Sequence, residues 1–388
     1  MQPTKHEITP YFERLQTELE DHRDLRGRVH NLSFVLSGVL IAILLGRNRL
    51  SSIQRFIANR LEDLCSWTGH YAEKAVSDTQ LRRILRGVDW QKYNELNAAH
   101  FNLTIEQVSG EEWVGLDGKE LRGSLERDES GDKAKRGEVV VNAVRHKDSQ
   151  VVGQTYYRGD KESEKIAVRE LLHKGLSKKS ITLDALHCDP ETTALIEQGG
   201  GRYIVQAKAN QAELMEELHL SMGFLPALHQ FSEVDKAHGR IEIREAELFD
   251  IQGGDFEQRW QSSGIRALIK VQRHFIEVKT GKEQNQTSLY ISNQAIDKQS
   301  SSMAEGLFHA IRGHWAIEAD NYVRDVLFLE DRTPTPKGNL SRSLAAIRSF
   351  AIQALRKTGA KSLKAKMEQL MDCPQKLAET LQAMGFFT

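Results

Sequence analysis

Three cysteines in 388 residues are too few for a disulfide framework. Cys65, Cys188 and Cys373 stand far apart with no Cys-x-x-Cys pair, so there is no zinc motif either, and a reducing cytoplasm is the expected setting. Net charge is scarce as well. A formal charge of -1 gives no whole-chain basic signal, so any nucleic-acid surface has to be a local patch balanced by acids elsewhere. The opening stretch is charged, with no apolar core and no small-residue cleavage site, which predicts no signal peptide. The longest apolar run, 32–46, is closed by Arg47 and falls short of the ~20 residues that a bilayer crossing needs. It reads as a buried helix, and no membrane association is expected. Internal repeats are absent, and the polar stretch 299–302 is the one low-complexity segment.

What is present is the material of a globular protein: 39% hydrophobic and 28% charged residues, with length for two or three domains. Residues 1–95 read as an all-helical domain around the 32–46 run. A second helix, capped by Ser51 or Ser52, puts Ile53, Phe56, Ile57, Leu61 and Leu64 on one face, and a third starts at Ser77 or Asp78. Arg82, Arg83 and Arg86 fall on the open side of that third helix. This is either a helix-turn-helix or a scaffold with a solvated basic face.

From about 112 the pattern changes to strands. The run 139–144 is β-branched and nearly continuous, as in a strand buried on both faces, and 150–157 can return beside it as a hairpin. A helix over 162–173 with Ile166, Leu171 and Leu172 inward, a strand at 180–183, a helix opened by Pro190 and a strand at 203–206 come next. That order, β, β, β, α, β, α, β, argues for a mixed sheet with helices packed on it. Residues 212–292 break the rhythm as a β-rich insertion, with strands near 241–249, 266–273, 275–280 and 287–291. The chain then turns helical, with Leu340, Leu344, Ile347, Ala351, Ala354 and Leu355 in one stripe and Arg348 mostly off it. Residues 110–360 are thus one α/β unit, and 361–388 a helical tail.

Three acidic residues stand out by setting. Asp117 comes where a short strand ends at an Asp-Gly turn, with Lys119 and Arg122 at once behind it. Asp184 ends another short strand, just before His187 and Cys188. Two aspartates at the ends of adjacent strands become neighbours. Glu318 shares a helical face with Ile311, Trp315, Tyr322 and Asp325, spaced 4, 3, 4 and 3. The apolar members point that face inward, where a carboxylate needs a partner: an arginine such as Arg312 or Arg324, or a metal ion. Two strand carboxylates and one on a helix suit a divalent-metal cage for phosphodiester chemistry. Spacing alone does not single out this trio among 54 acids.

The surrounding words do. They are Leu-Asp-Gly-Lys-Glu-Leu-Arg-Gly-Ser at 116–124, Ile-Thr-Leu-Asp-Ala-Leu-His-Cys at 181–188, Tyr-Ile-Val-Gln-Ala-Lys-Ala-Asn-Gln at 203–211 and His-Gly-Arg-Ile-Glu-Ile-Arg at 238–244. Tyr-Ile-Ser at 290–292, Ile-Arg-Gly-His-Trp-Ala-Ile-Glu at 311–318, Val-Arg-Asp-Val-Leu-Phe-Leu-Glu-Asp at 323–331 and Lys-Gly-Asn at 337–339 complete the series in order. Through them the chain resembles bacterial insertion-sequence transposases of the ISAs, or H-repeat-associated, group over about residues 10–358. The resemblance implies a ribonuclease-H-like mixed sheet flanked by helices and interrupted by the β-rich stretch. Asp117, Asp184 and Glu318 would be its DDE triad, holding two Mg2+ or Mn2+ ions. It implies a DNA transposase that cuts element ends and joins the freed 3′-hydroxyl to a target, with double-stranded DNA as partner. Its place would be the nucleoid of a bacterial cytoplasm, and such enzymes usually act as dimers. Lys119, Arg122, Lys208, Asn210, Gln211, His238, Arg240, Arg244, His314 and Arg324 are the residues expected at DNA, and Trp315, Tyr322 and Asp325 those expected to support the site.

One departure from the family pattern bears on activity. The family has Asn after the glutamate and a Leu-His pair before the aromatic; here Ala319, Asp320 and Asn321 fill a shortened stretch. A missing residue rotates the remainder of a helix by about 100°, so the equivalence of Asp325 to the family's aspartate is open. Two rival functions stay in play: a transposase-derived DNA-binding protein with a dead core, and a hydrolase using paired carboxylates on a small substrate in a tight apolar pocket.

Overall fold

The β-branched run at 139–144 builds the middle of a sheet. In the computed structural model, which describes residues 10–125, 137–158, 161–237, 239–335 and 338–387, it becomes β2 (Glu138–Arg145), between β1 (Trp113–Glu120) and β3 (Val151–Arg158). Later strands are β4 (Ser180–Leu183), β5 (Arg202–Ala207), β6 (His229–Ala237), β7 (Arg240–Asp250), β8 (Ala267–Glu277) and β9 (Glu283–Ser292). All nine join one mixed sheet in the order β3-β2-β1-β4-β5-β9-β8-β7-β6. Only the β1–β4 and β4–β5 pairs are parallel.

Helices precede the sheet: α1 (Tyr11–Glu18), α2 (Leu32–Leu44), α3 (Leu50–Asn59), α4 (Leu61–Thr68), α5 (Asp78–Gly87) and α6 (Trp90–His100). Within and after the sheet come α7 (Lys161–His173), α8 (Pro190–Gly199), α9 (Ala212–Phe224), α10 (Ser301–Gly313), α11 (Trp315–Tyr322), α12 (Leu340–Lys357), α13 (Leu363–Asp372) and α14 (Pro374–Ala383). The helices α7, α8 and α9 pack on one face of the sheet in a single apolar cluster, while α10, α11 and α12 cover the other. No helix among the described residues is long and apolar enough to cross a membrane.

The apolar run at 32–46 does what its composition demands: every residue of α2 is buried, and Asn31 caps it by accepting from the N–H of Phe34. One cluster packs α2 with α1, α3, α5, α6, α12 and the residues of α13 and α14. Both ends of the chain thus share a core.

Several expectations are corrected. The second helix starts at Leu50 with no side-chain cap, so Ser51 and Ser52 lie inside its first turn, and α4 separates α3 from α5. Ile166 is exposed. The two strands expected at 266–273 and 275–280 are one, β8. β6 was not foreseen. It is an edge strand with few apolar residues, and its half-buried Glu233 and Asp235 bind Arg312 of α10 rather than packing in a core. Arg348, expected off the apolar stripe of α12, is buried.

That burial belongs to an ion network linking β1, α11 and α12. Asp320 and Arg324, both 0% exposed, pair at 2.6 Å, and Arg356 of α12 meets the other Asp320 oxygen at 2.7 Å. Arg324 also donates to Ser349 at 2.9 Å. Glu330 lies in the centre, with Arg324, Arg348 and Lys119 at 3.9, 3.7 and 4.0 Å. Burial opposes the charge on Asp320, yet the two guanidiniums hold its carboxyl below the usual carboxylate range. Between Asp320 and Glu330 the chain makes a π-helical turn, Val323–Leu327, a distortion that needs support. Removing one partner strands the others without water. Arg324→Met is therefore expected to cost about 3–5 kcal/mol of stability, read as a lower midpoint in urea unfolding; a loss under about 1 kcal/mol would mean that the network is solvated.

Candidate active site

Asp117 lies inside β1, not at its end: the strand runs on to Glu120, and Asp117 faces Asn142 of β2. The expected Asp-Gly turn does not form. Gly118 stays in the ladder and allows a close approach, since a Cβ there would stand 2.6 Å from the Glu164 carboxylate of α7. β1 and β4 pair in parallel through Leu116 and Leu183. Asp117 and Asp184 are the next residue on each strand, so they sit side by side on neighbouring strands, as adjacency at strand ends predicts. Asp184 ends β4 and turns the chain, its Oδ1 accepting from the N–H of Leu186 at 2.9 Å.

The face carrying Asp117 is covered by α11. A Cβ on Gly115 would meet Ile317 at 2.5 Å, so the missing side chain lets this helix lie directly on β1. Asn321 reaches down from it, Nδ2 3.4 Å from the Asp117 Oδ2. Glu318 stands one turn earlier, exposed, with no ion pair among the described residues. The inward stripe expected through Trp315, Glu318 and Tyr322 is corrected: Trp315 is 50% and Tyr322 66% exposed. The stripe that faces the protein runs through Ile317, Asp320 and Arg324.

Electrostatics around Asp117 are strained. Burial, then the carboxylates of Asp184 and Glu164, push its carboxyl up to about 7. Glu164 is held below the usual range, against its own burial, by His187, the Tyr157 hydroxyl at 3.0 Å and the Gly118 N–H. His187 is fully buried, its Nε2 3.5 Å from Glu164 and 3.9 Å from Asp184. No basic side chain forms an ion pair with Asp117 among the described residues. A divalent cation between Asp117 and Asp184 would relieve this repulsion, and oxygen donors suit Mg2+ or Mn2+. Among the described residues, however, no three His, Cys, Asp or Glu side chains already form a cation cage. Asp117 and Asp184 fit a metal; Glu318 is near in the fold but not part of a preassembled set.

The other named residues separate into contact and scaffold. Lys119 is buried and holds Asp325 at 2.8 Å and Asp331 at 2.9 Å, so its ammonium and Asp325 are committed to each other. Arg324 is sealed in the ion network, out of reach of a phosphate. His314 bonds the Thr182 hydroxyl at 2.9 Å, as does His146 at 3.0 Å from the other side. Burial pushes His314 down to about 4 and His146 to about 3, which makes both neutral packing groups near pH 7. Asn210 donates to the carbonyl of Ala185 and Gln211 to that of Cys188, so these amides hold the Asp184 turn. Arg122, Lys208 and Arg240 are exposed, with Arg240 over the Phe275 ring. Arg244 is paired with Glu242 at 2.6 Å, and Trp315 lies under Arg273. His238 lies outside the described residues.

A family described as DDE_Tnp_1-associated matches residues 13–101, the helical part that precedes β1. Putative transposase YncI of Escherichia coli O157:H7 is 28% identical over 85% of this chain and 84% of its own length. H repeat-associated putative transposase YhhI of E. coli K12 is 27% identical over 91% of this chain and 92% of its own. Putative protein YbfL of the same strain is 28% identical, with the same two shares. The chain resembles the H-repeat-associated transposases over about nine-tenths of its length. Of the motif words that carry that resemblance, those at 116–124 and 181–188 lie on the paired strands β1 and β4 and just beyond them, and that at 311–318 runs into α11.

Glu164 was missed, although a signal existed: it lies 4 and 7 residues before the buried Val168 and Leu171 on one helical stripe, an acid on an inward face. Asn142 and Thr182 gave no signal, because a polar residue in a β-branched run shows no partner in sequence. The raised Asp117 carboxyl yields a pH test. The folded carboxyl keeps its proton to about pH 7, whereas an unfolded one loses it near ~3.9. Ionisation therefore costs nothing below about pH 4, costs more as pH rises, and costs most above 7. In EDTA, Asp117→Asn should raise the thermal midpoint at pH 8, with a gain in stability of about 2–4 kcal/mol that fades towards pH 4. A gain that does not vary with pH would show that Asp117 is not under this strain.

Proposed function

We propose that the chain is a DNA transposase with a ribonuclease-H-like core. Asp117, Asp184 and Glu318 act as its metal-binding triad, and the β6–β9 stretch is an insertion before the glutamate helix. The observation that carries this reading is the placement of Asp117 and Asp184 one residue past paired Leu116 and Leu183, with the Glu318 helix on that same face. Bound Mg2+ or Mn2+ would supply a lowered pKa for the attacking oxygen and charge neutralisation for the leaving one. Asp117 and Asp184 bind and orient from fixed strands. Glu318, exposed and unpaired among the described residues, is free to change rotamer and complete the set when DNA arrives. Asn210 and Gln211 keep the Asp184 turn in place, and Lys119 pins the segment after α11 to β1 through Asp325 and Asp331. Arg122, Lys208 and Arg240 are the exposed cations that suit DNA phosphates.

A second reading, an inactive DNA-binding descendant, is favoured by Asn321 beside Asp117 and by the lack of a preassembled three-carboxylate set among the described residues. One experiment separates the two. Purified protein is given supercoiled DNA carrying the element's ends with Mg2+ or Mn2+. Wild type should nick it, and Asp117→Ala, Asp184→Ala and Glu318→Ala should each lower cleavage by at least about 10³-fold while DNA binding persists. Nicking that survives in all three variants rules the triad out; a wild type that binds but never nicks supports the inactive reading.

A further inference from the structure

The helical N-terminal part meets the sheet along a seam built by Asn48, in the loop between α2 and α3. Its Nδ2 donates to the carbonyl of Leu327 at 3.4 Å, and its own carbonyl accepts from the Thr333 hydroxyl at 3.1 Å. The seam therefore docks directly on the segment that comes after the Glu318 helix. A concavity of about 330 Å³ opens beside it, lined by Arg49 before α3, Arg82 of α5, and Arg332 and Thr333 from beyond the π turn. Three elements distant in sequence thus each contribute a guanidinium.

Their charge is poorly compensated. Arg82 has Asp78 at 2.9 Å. Arg49 and Arg332 are exposed, and neither has an ion pair among the described residues. Asp331, the nearest acid in sequence to Arg332, is already held by Lys119. The three arginines line one concavity, so their like charges face a shared space. In a chain whose net charge is -1, such a cluster is a local excess that an anion would relieve. Further cations rim it. Arg86 lies against Gly338, where a Cβ would stand 3.5 Å from its Cγ. Arg122 is tied to the same wall because the N–H of Thr335 bonds the carbonyl of Gly123 at 2.7 Å. Four residues of nearly extended chain separate Arg122 from Asp117, at most about 17 Å.

We propose that this junction is a phosphodiester cradle: Arg49, Arg82 and Arg332 together take backbone phosphate of duplex DNA, so that the helical part and the sheet grip one duplex next to the carboxylate pair. Guanidiniums are the side chains suited to this, since their forked donors match phosphate oxygens two at a time. The contact reads no bases; it fixes where the duplex lies. The site rests on the reading of the chain as a DNA-acting protein, but its test needs no cleavage.

The full-length chain in EDTA is titrated onto a labelled duplex at several KCl concentrations, and the slope of log affinity against log salt is measured. The double variant Arg49→Ala, Arg332→Ala should lower the slope by about one to two, near 0.9 for each phosphate no longer neutralised, and weaken every duplex sequence alike. Arg49→Lys with Arg332→Lys should keep the slope. Lys364→Ala, an exposed cation of α13 that does not line the concavity, should change nothing. If wild type binds and the double alanine variant keeps the wild-type slope, or Lys364→Ala loses as much, the cradle is wrong and the proposed function stands. If wild type fails to bind any duplex at low salt, the proposed function falls and the cradle with it.

Discussion

The buried pairing of Asp320 with Arg324 and Arg356 is the interaction on which the site depends. It sets the rotation of α11. With Asp320 turned into the protein, the residues on either side have no choice: Glu318 faces out, Ile317 packs on Gly115, and Asn321 lands beside Asp117. The same guanidiniums and Glu330 hold the π turn and the segment behind it, from which Asp331 reaches Lys119 of β1. Charges buried without water are weak sources of stability, but they are specific, because each tolerates only the arrangement that pairs it.

The carboxylate pair has the opposite character. No side chain among the described residues forms an ion pair with Asp117, and of them only His187 offsets its surroundings; Glu164 adds a third negative charge from the far side of the sheet, where Gly118 leaves room for it. A fold that commits several cations to Asp320 and Glu330 leaves this spot unneutralised. Like charges in a poorly solvated place strengthen a carboxyl's hold on its proton. The contrast between the two acidic centres, one sealed by arginines and one open, separates scaffold from site.

Much of this was legible from residue order. The 32–46 run announced a buried helix, the β-branched run a central strand, and the alternation of elements over 112–206 a mixed sheet. The motif words pointed to Asp117 and Asp184, which the structure sets on neighbouring strands, and to Glu318 on the helix above them. What misled was periodicity around Glu318. A spacing of 3 and 4 groups residues on a stripe but does not say which stripe meets the sheet, and here the one with Trp315 and Tyr322 looks outward. The DNA-contact residues suffered likewise. Lys119, Arg324 and His314 look the same on paper as Arg122, yet the first two are buried and the third half-buried, with partners up to 212 positions away.

By itself, then, the order of residues determined the class of most elements, the neighbouring placement of two aspartates, and the resemblance to H-repeat-associated transposases. These rest on local propensity, strand alternation and short motif words, all readable within a few positions. The tertiary structure alone decided that β6–β9 extend the same sheet, that α1 and α14 share one core, and which charged side chains are exposed. Those outcomes depend on contacts between segments far apart in the chain, where burial and pairing, not the identity of a residue, set what its charge can do.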